Sequence, residues 1–257
     1  MKASPKGQQI VRHASLATIS SRVLVGTLAL VLVGMGTGCV DNGKSLVIAF
    51  NVAPDDSCKF TVQTGTQYIY YPSGELDVKA SLVYWLTPQI ENYLPSNLNT
   101  SEKDLNTMSV QVERAEVRYT WLVGRSIIES YPDLIAIESQ DPFIAPISGV
   151  VSAADDTGEP GKMLTSIPLL SAQAGDSISQ LGASDLFDDL YNVVLGARVR
   201  VYGHTLGGTP VRSGEFVYPL YFCSGCTVGY MCCAGTATET LAIFCIAGQD
   251  SHLPCSC

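Results

Sequence analysis

The stretch SVQVERAEVRYTW, Ser109–Trp121, sets valines between charged and polar residues and then changes step. Val110 and Val112 share one parity; Ala115, Val117, Tyr119 and Trp121 carry the apolar set on the other. Successive side chains of a strand point to opposite faces, so this alternation marks a half-buried strand. The switch at Glu113–Arg114 predicts a β-bulge, because one extra residue returns the apolar set to the core face.

The same period extends to both sides. GARVRVYG (196–203) puts Val199 and Val201 inward and Arg198, Arg200 and Tyr202 outward, and GEFVYPLYF (214–222) answers with Phe216, Tyr218, Leu220 and Phe222. The stretch between them, HTLGGTPVRSG, has the Gly, Pro, Ser and Thr content of a hairpin loop. ELDVKASLVYWL (75–86) predicts a strand with Val78, Ala80, Leu82, Tyr84 and Leu86 on one face and Asp77, Lys79 and Ser81 opposite. Shorter strands are expected at 46–52, 58–63, 134–138, 143–151 and 163–170, and one helix at SDLFDDLYN (184–192), with Ser184 as its N-cap. The polar segment 87–108 is expected as a surface excursion. Some eight or nine strands with little helix predict an all-β fold: an antiparallel β-sandwich, immunoglobulin-like rather than jelly roll.

Charge is distributed unevenly. The four basic residues before position 39 are Lys2, Lys6, Arg12 and Arg22, and no acid accompanies them. The rest carries 11 basic against 24 acidic side chains, a net of −13. Such a balance opposes nucleic-acid binding and approach to anionic headgroups. The basic leader runs into VLVGTLALVLVGMG (23–36), an uncharged apolar stretch of signal-peptide length, and then into Thr37, Gly38 and Cys39. This order resembles the bacterial lipoprotein signal, which implies cleavage before Cys39, acylation of Cys39 and a membrane held through that anchor. Val40 in the next position implies the outer membrane. The expected organisation is a signal peptide at 1–38, a tether at 39–44, a β-sandwich at 45–222 and a cysteine-rich module at 223–257.

Export bears on the remaining eight cysteines: Cys58, Cys223, Cys226, Cys232, Cys233, Cys245, Cys255 and Cys257. An even number in an oxidising compartment reads as disulfides rather than zinc or redox thiols. Thirty-five residues bury too little surface to hold a core of their own, so cross-links must stabilise the tail. Seven tail cysteines leave one to pair with Cys58. Cys223 and Cys226, at a strand exit, are candidates for it, and the adjacent Cys232 and Cys233 are expected to take different partners.

Gly203 and Thr205 in the hairpin, Cys223-x-Gly225-Cys226 at the exit, and Cys245-x-x-Gly248-Gln249-Asp250 with Cys255 resemble a group of uncharacterised predicted lipoproteins of the myxobacterial type. The resemblance covers about 60 residues at the C-terminus plus the general layout. It implies architecture and location rather than chemistry.

No catalytic set stands out, and no cofactor or metal is expected. His204 and His252 are the only histidines beyond residue 39, with His204 expected as a solvated turn residue. GDSIS (175–179) lacks the final glycine of a nucleophile elbow. Asp155–Asp156 and Asp185, Asp188 and Asp189 are acidic clusters without EF-hand spacing. Gln249–Asp250 reads as a turn, and Trp85 and Trp121 as core residues. The expectation is a non-enzymatic envelope protein, structural, adhesive or interacting, with an envelope protein or glycan as partner. The alternative is a glycan-binding sandwich whose site lies in loops 87–108 or 152–162.

Overall fold

The computed structural model describes residues 45–55, 57–65, 68–96, 106–183, 192–225, 245–246 and 248–250. In chain order its strands are β1 (Leu46–Val52), β2 (Tyr70–Tyr71), β3 (Gly74–Asp77), β4 (Trp85–Leu86), β5 (Pro88–Asn92), β6 (Val110–Val123), β7 (Phe143–Val151), β8 (Gly161–Leu164), β9 (Ile167–Pro168), β10 (Val194–Thr205), β11 (Pro210–Arg212) and β12 (Phe216–Cys223). Its helices are α1 (Arg125–Ile128), α2 (Pro132–Ser139) and α3 (Ala172–Ala183).

One sheet has the order β2-β1-β5-β8. The larger has the order β3-β12-β10-β6-β7, with β11 beside β10, and β4 and β9 form a separate pair. Residues of both large sheets meet in a single core, with Leu46, Ile48 and Ile90 from one and Val112, Val117, Val199, Leu220 and Phe222 from the other. The two curled sheets also join at an edge, where Leu46 bridges to Ser213.

The alternation of Ser109–Trp121 becomes the central strand β6, paired on both sides. The parity switch is a bulge: Tyr202 faces Arg114 while Gly203 faces Val112, so Glu113 is the extra residue. The pairing with β7 shifts register at the same place. A methyl group at Gly203 would collide with the backbone of Gln111 and Val112, so the bulge requires a glycine opposite it.

Several expectations are corrected. The sheet is mixed, not wholly antiparallel, because β3 lies parallel to β12 from Gly74↔Leu220 to Asp77↔Cys223. Two strands so far apart in sequence are not constrained by a hairpin and can pair in either sense. The strand expected across 75–86 stops at Asp77. Asp77 Oδ1 accepts from Lys79 N at 3.0 Å and Gly225 N at 2.7 Å, and its carbonyl accepts from Ala80 and Ser81 N. That turn leaves Ala80 and Leu82 exposed. Residues 134–138 are helical: Pro132 starts α2, Asp133 lies in its first turn, and Leu134 and Ile137 face the core three residues apart. Residues 58–63 form no strand, and 163–170 is reduced to parts of β8 and β9.

The elements not anticipated include the short α1, β2 and β11 and two larger ones. Helix α3 contains GDSIS; it is capped by Ser171 Oγ accepting from Ala174 N at 3.1 Å and buries Ala174 and Ile178. The polar segment 87–108 contributes β5, a central strand with every residue buried. Most of the helix expected at 184–192 lies outside the described residues.

Candidate functional site

Asn51 on β1, Tyr84 beside β4 and Tyr218 on β12 bring polar groups into the core. Asn51 Nδ2 donates to the Tyr218 hydroxyl at 2.8 Å, and its Oδ1 accepts from Thr87 N at 2.8 Å. The Tyr218 and Tyr84 hydroxyls are 2.9 Å apart, and Tyr84 donates to Asp250 Oδ2 at 2.5 Å. Each hydroxyl thus has a donor role and an acceptor role filled, as buried polar groups require. Burial, and then the Asp250 carboxylate, push the Tyr84 hydroxyl far above its ordinary pKa; Tyr218 is raised chiefly by burial. Tyr71 is raised by burial and by the same carboxylate.

Asp250 reaches this network because Gly248–Asp250 lies along the free edge of β3. Asp77 N donates to Gly248 O, Asp250 N donates to Glu75 O, and Glu75 N donates to Asp250 Oδ1, all at 2.8–2.9 Å. The Gln249 side-chain amide completes the clip on Trp85, accepting from its N at 2.8 Å and donating to its O at 3.0 Å. Asp250 adopts φ +51°, a left-handed conformation that aspartate tolerates better than most residues. Gln249–Asp250 therefore makes a long-range clip as well as the expected turn, with Gln249 N on Ile246 O at 3.4 Å.

Cys245, just upstream, is disulfide-bonded to Cys58, 187 positions away. The partner of Cys58 is thus Cys245 rather than Cys223 or Cys226. Cys223 is buried at the end of β12 and also disulfide-bonded. Cys39, Cys226, Cys232, Cys233, Cys255 and Cys257 lie outside the described residues, as does His252. Trp121 is buried, its indole N–H on Leu134 O at 3.0 Å. Trp85 is 41% exposed, a correction: it sits where the clip meets β4 and lines a 50 Å³ cavity with Tyr71, Cys245 and Asp250.

The other candidates are placed as follows. His204 lies near the end of β10, half exposed, with Nδ1 3.1 Å from Glu113 Oε1. Asp155 Oδ1 accepts from Thr157 N, Thr157 Oγ1 and Glu159 N, which turns the loop and lowers its pKa, Thr157 contributing most. Asp185, Asp188 and Asp189 lie outside the described residues. Among the described residues no three His, Cys, Asp or Glu side chains gather as a metal site would require.

The two loops proposed for a ligand do converge. β5 pairs with β8, setting Glu91 opposite Lys162 on the outer face of the smaller sheet. Gln89 Nε2 and the Tyr93 hydroxyl donate to Glu91 at 2.9 and 2.7 Å. That bond, with burial and the Glu91 charge, pushes Tyr93 up to about 12. Tyr68, Tyr70 and Tyr93 remain about half exposed, and Phe50 has its ring 5.1 Å from Tyr68 and 5.7 Å from Tyr70. No alternation signal marks this face, because Tyr68 and Tyr70 come from a loop and a two-residue strand. Compared with known proteins, the chain matches no family model, no curated protein and no solved structure.

Proposed function

We propose that the chain is an exported, lipid-anchored protein of the cell envelope with a structural, adhesion or interaction role and no catalytic one. The observation that carries this reading is the closure of Cys58 on Cys245 beside the Gly248–Asp250 clip. Disulfides persist in oxidising compartments and are rare in the cytosol, and the leader ending at Thr37-Gly38-Cys39 supplies the route out. Several ionisable groups of the body are engaged in structural contacts: Asp250 with Tyr84, Glu91 with Tyr93, and Glu138 with Arg125 and Trp121 N. In this reading acyl chains on Cys39 hold the protein at the outer membrane, facing the periplasm or the surface. The strand orders β1-β5-β8 and β12-β10-β6-β7 support an immunoglobulin-like sandwich, following A-B-E and G-F-C-C′. Intact-mass and disulfide mapping of protein taken from membranes tests it. Acylated Cys39 with oxidised cysteines is expected; an unmodified Cys39, or free thiols holding zinc, would overturn it.

A second reading, a glycan-binding sandwich, is favoured by the tyrosine face. The exposed rings of Tyr68, Tyr70 and Tyr93 offer stacking surface, with Tyr93 held in place by the buried Glu91. Delipidated protein on a broad glycan array tests this: binding that Tyr68→Ala and Tyr70→Ala abolish supports it, and silence across the array ends it.

A further inference from the structure

Beyond residue 39 the chain has six arginines: Arg114, Arg118, Arg125, Arg198, Arg200 and Arg212. All but Arg125 stand on the outer face of the larger sheet. Cross-strand register sets Arg118 opposite Arg198, and Tyr202 between Arg114 on β6 and Arg212 on β11. Four glutamates share the face, Glu75 among them on β3 opposite Tyr221. Glu215 binds Arg198 and Arg200 at 2.6 and 3.2 Å, Glu116 binds Arg118 at 2.8 Å, and Glu113 faces His204. Among the described residues no carboxylate pairs with Arg114 or Arg212, and Arg114 lies 4.7 Å over the Tyr202 ring. Among the described residues the face carries +1, five arginines against four glutamates. The negative average therefore conceals a face that is locally positive around Arg114 and Arg212.

Two further observations identify what this face meets. Exposed apolar side chains lie among the guanidinium groups: Val217 opposite Arg198, Ile144 opposite Glu116, and Tyr221 further along β12. Arginine with aliphatic and tyrosine side chains suits the boundary between headgroups and acyl chains, whereas a soluble polyanion gains nothing from valine or isoleucine. The chain also enters the fold at this sheet's edge, since Leu46 bridges to Ser213, next to Arg212. Cys39 lies seven residues before Leu46, and seven extended residues reach roughly 25 Å at most.

We propose that the arginine face docks on the phosphate-bearing headgroups of the membrane that holds Cys39. The proposal rests on the lipid-anchor reading above. Guanidinium forks of Arg114 and Arg212 bind phosphate oxygens in pairs. A small net charge gives only weak attraction, but a tethered face needs only weak attraction to be held down.

The test uses the chain from residue 39 onward carrying Cys39→Ser, which has neither the apolar leader nor a thiol to acylate, so that its outcome is independent of anchoring. Cosedimentation with phosphatidylglycerol vesicles is expected, release by about 1 M salt is expected, and phosphatidylcholine vesicles are expected to bind far less. Arg114→Gln with Arg212→Gln should lower the partition about 30-fold, while Arg114→Lys with Arg212→Lys retains most of it. Near-UV circular dichroism checks the fold. Should the glutamine pair unfold, Val217→Glu, an exposed change on the same face, should produce a comparable loss. Equal binding to both vesicle types, or no effect of these variants, would overturn the proposal. Tighter, competing binding of a soluble acidic polysaccharide, or self-association that the variants abolish, would overturn it as well. A failure of acylation shows separately, in the mass of the unsubstituted protein.

Discussion

Replacing Tyr84 by phenylalanine removes one oxygen from the centre of the buried network and nothing else. The ring is fully buried and retains its packing. The lost hydroxyl donates to Asp250 and stands within hydrogen-bonding distance of Tyr218. A hydrogen bond to a charged acceptor contributes ~1.5–3 kcal/mol, and a buried group left without its partner costs ~1–3 kcal/mol. Asp250 adjoins a cavity and a groove that admit water, which recovers part of this. The expected loss is about 3 kcal/mol, or roughly 6–12 °C in Tm for a body of this size. Tyr218→Phe leaves the carboxylate bond intact and should cost only ~1 kcal/mol. Urea unfolding of the oxidised protein, followed by Trp85 and Trp121 fluorescence, measures both. A Tyr84→Phe, Asp250→Ala double-mutant cycle should show a coupling of at least ~1 kcal/mol. A Tyr84→Phe loss under about 0.5 kcal/mol, or an additive cycle, would refute the view that this network fixes the tail to the body.

Cys58→Ser should cost ~2–4 kcal/mol, the usual range for removing a bridge that closes a long loop; denaturation of the variant beside the parent measures it. Gly203→Ala should destabilise by at least ~2 kcal/mol, because the methyl meets the backbone of Gln111 and Val112 rather than a flexible side chain. Ile144→Ala, on the exposed face, provides the near-neutral control in the same assay. Tyr71, Tyr84, Tyr93 and Tyr218 hold their protons more tightly when folded than in the unfolded chain, where tyrosines titrate near 10. Their stabilising contribution is full below pH 10 and is lost as pH rises from there, through about 12 for Tyr93. Tyrosinate absorbance should therefore rise in a cooperative step with unfolding at high pH, and a smooth non-cooperative titration of all the tyrosines would contradict this.

Alternation was reliable where a strand has a neighbour on each side. In β6 the apolar positions, the polar positions and the bulge at Glu113 all follow from the sequence, because both flanking strands impose one register. The same rule failed at 75–86. There Asp77 diverts the chain through bonds to Lys79 N and to Gly225 N, 148 residues away. No local pattern reveals the second partner. β5 was hidden for the opposite reason. Its Gln89, Glu91 and Asn92 look solvated, yet each is buried with hydrogen bonds supplied by Gln63, Tyr93, Met108 and Val151. Polarity signals exposure only when distant segments do not bring partners. At helix α2 the short apolar run LIAI fits a strand as well as a helix, and only its two core contacts, Leu134 and Ile137, show the helical spacing.

The Gly-Gln-Asp of the tail shows what such distant partners accomplish. β3 is a sheet-edge strand, and an uncovered edge offers its amides and carbonyls to any passing strand. Gly248–Asp250 occupies that edge with backbone bonds, Gln249 extends the pairing to Trp85, and Asp250 carries it inward to Tyr84. Cys245 then fixes the segment to Cys58. Each contact alone is modest, but together they cover an edge, fill a buried polar chain and close the longest loop in the described fold. A protein tethered among others of its kind at a membrane would meet neighbouring edges at high local concentration. Under that condition the clip acts against intermolecular strand pairing as much as against unfolding, and Gln249→Ala should raise aggregation before it measurably lowers Tm.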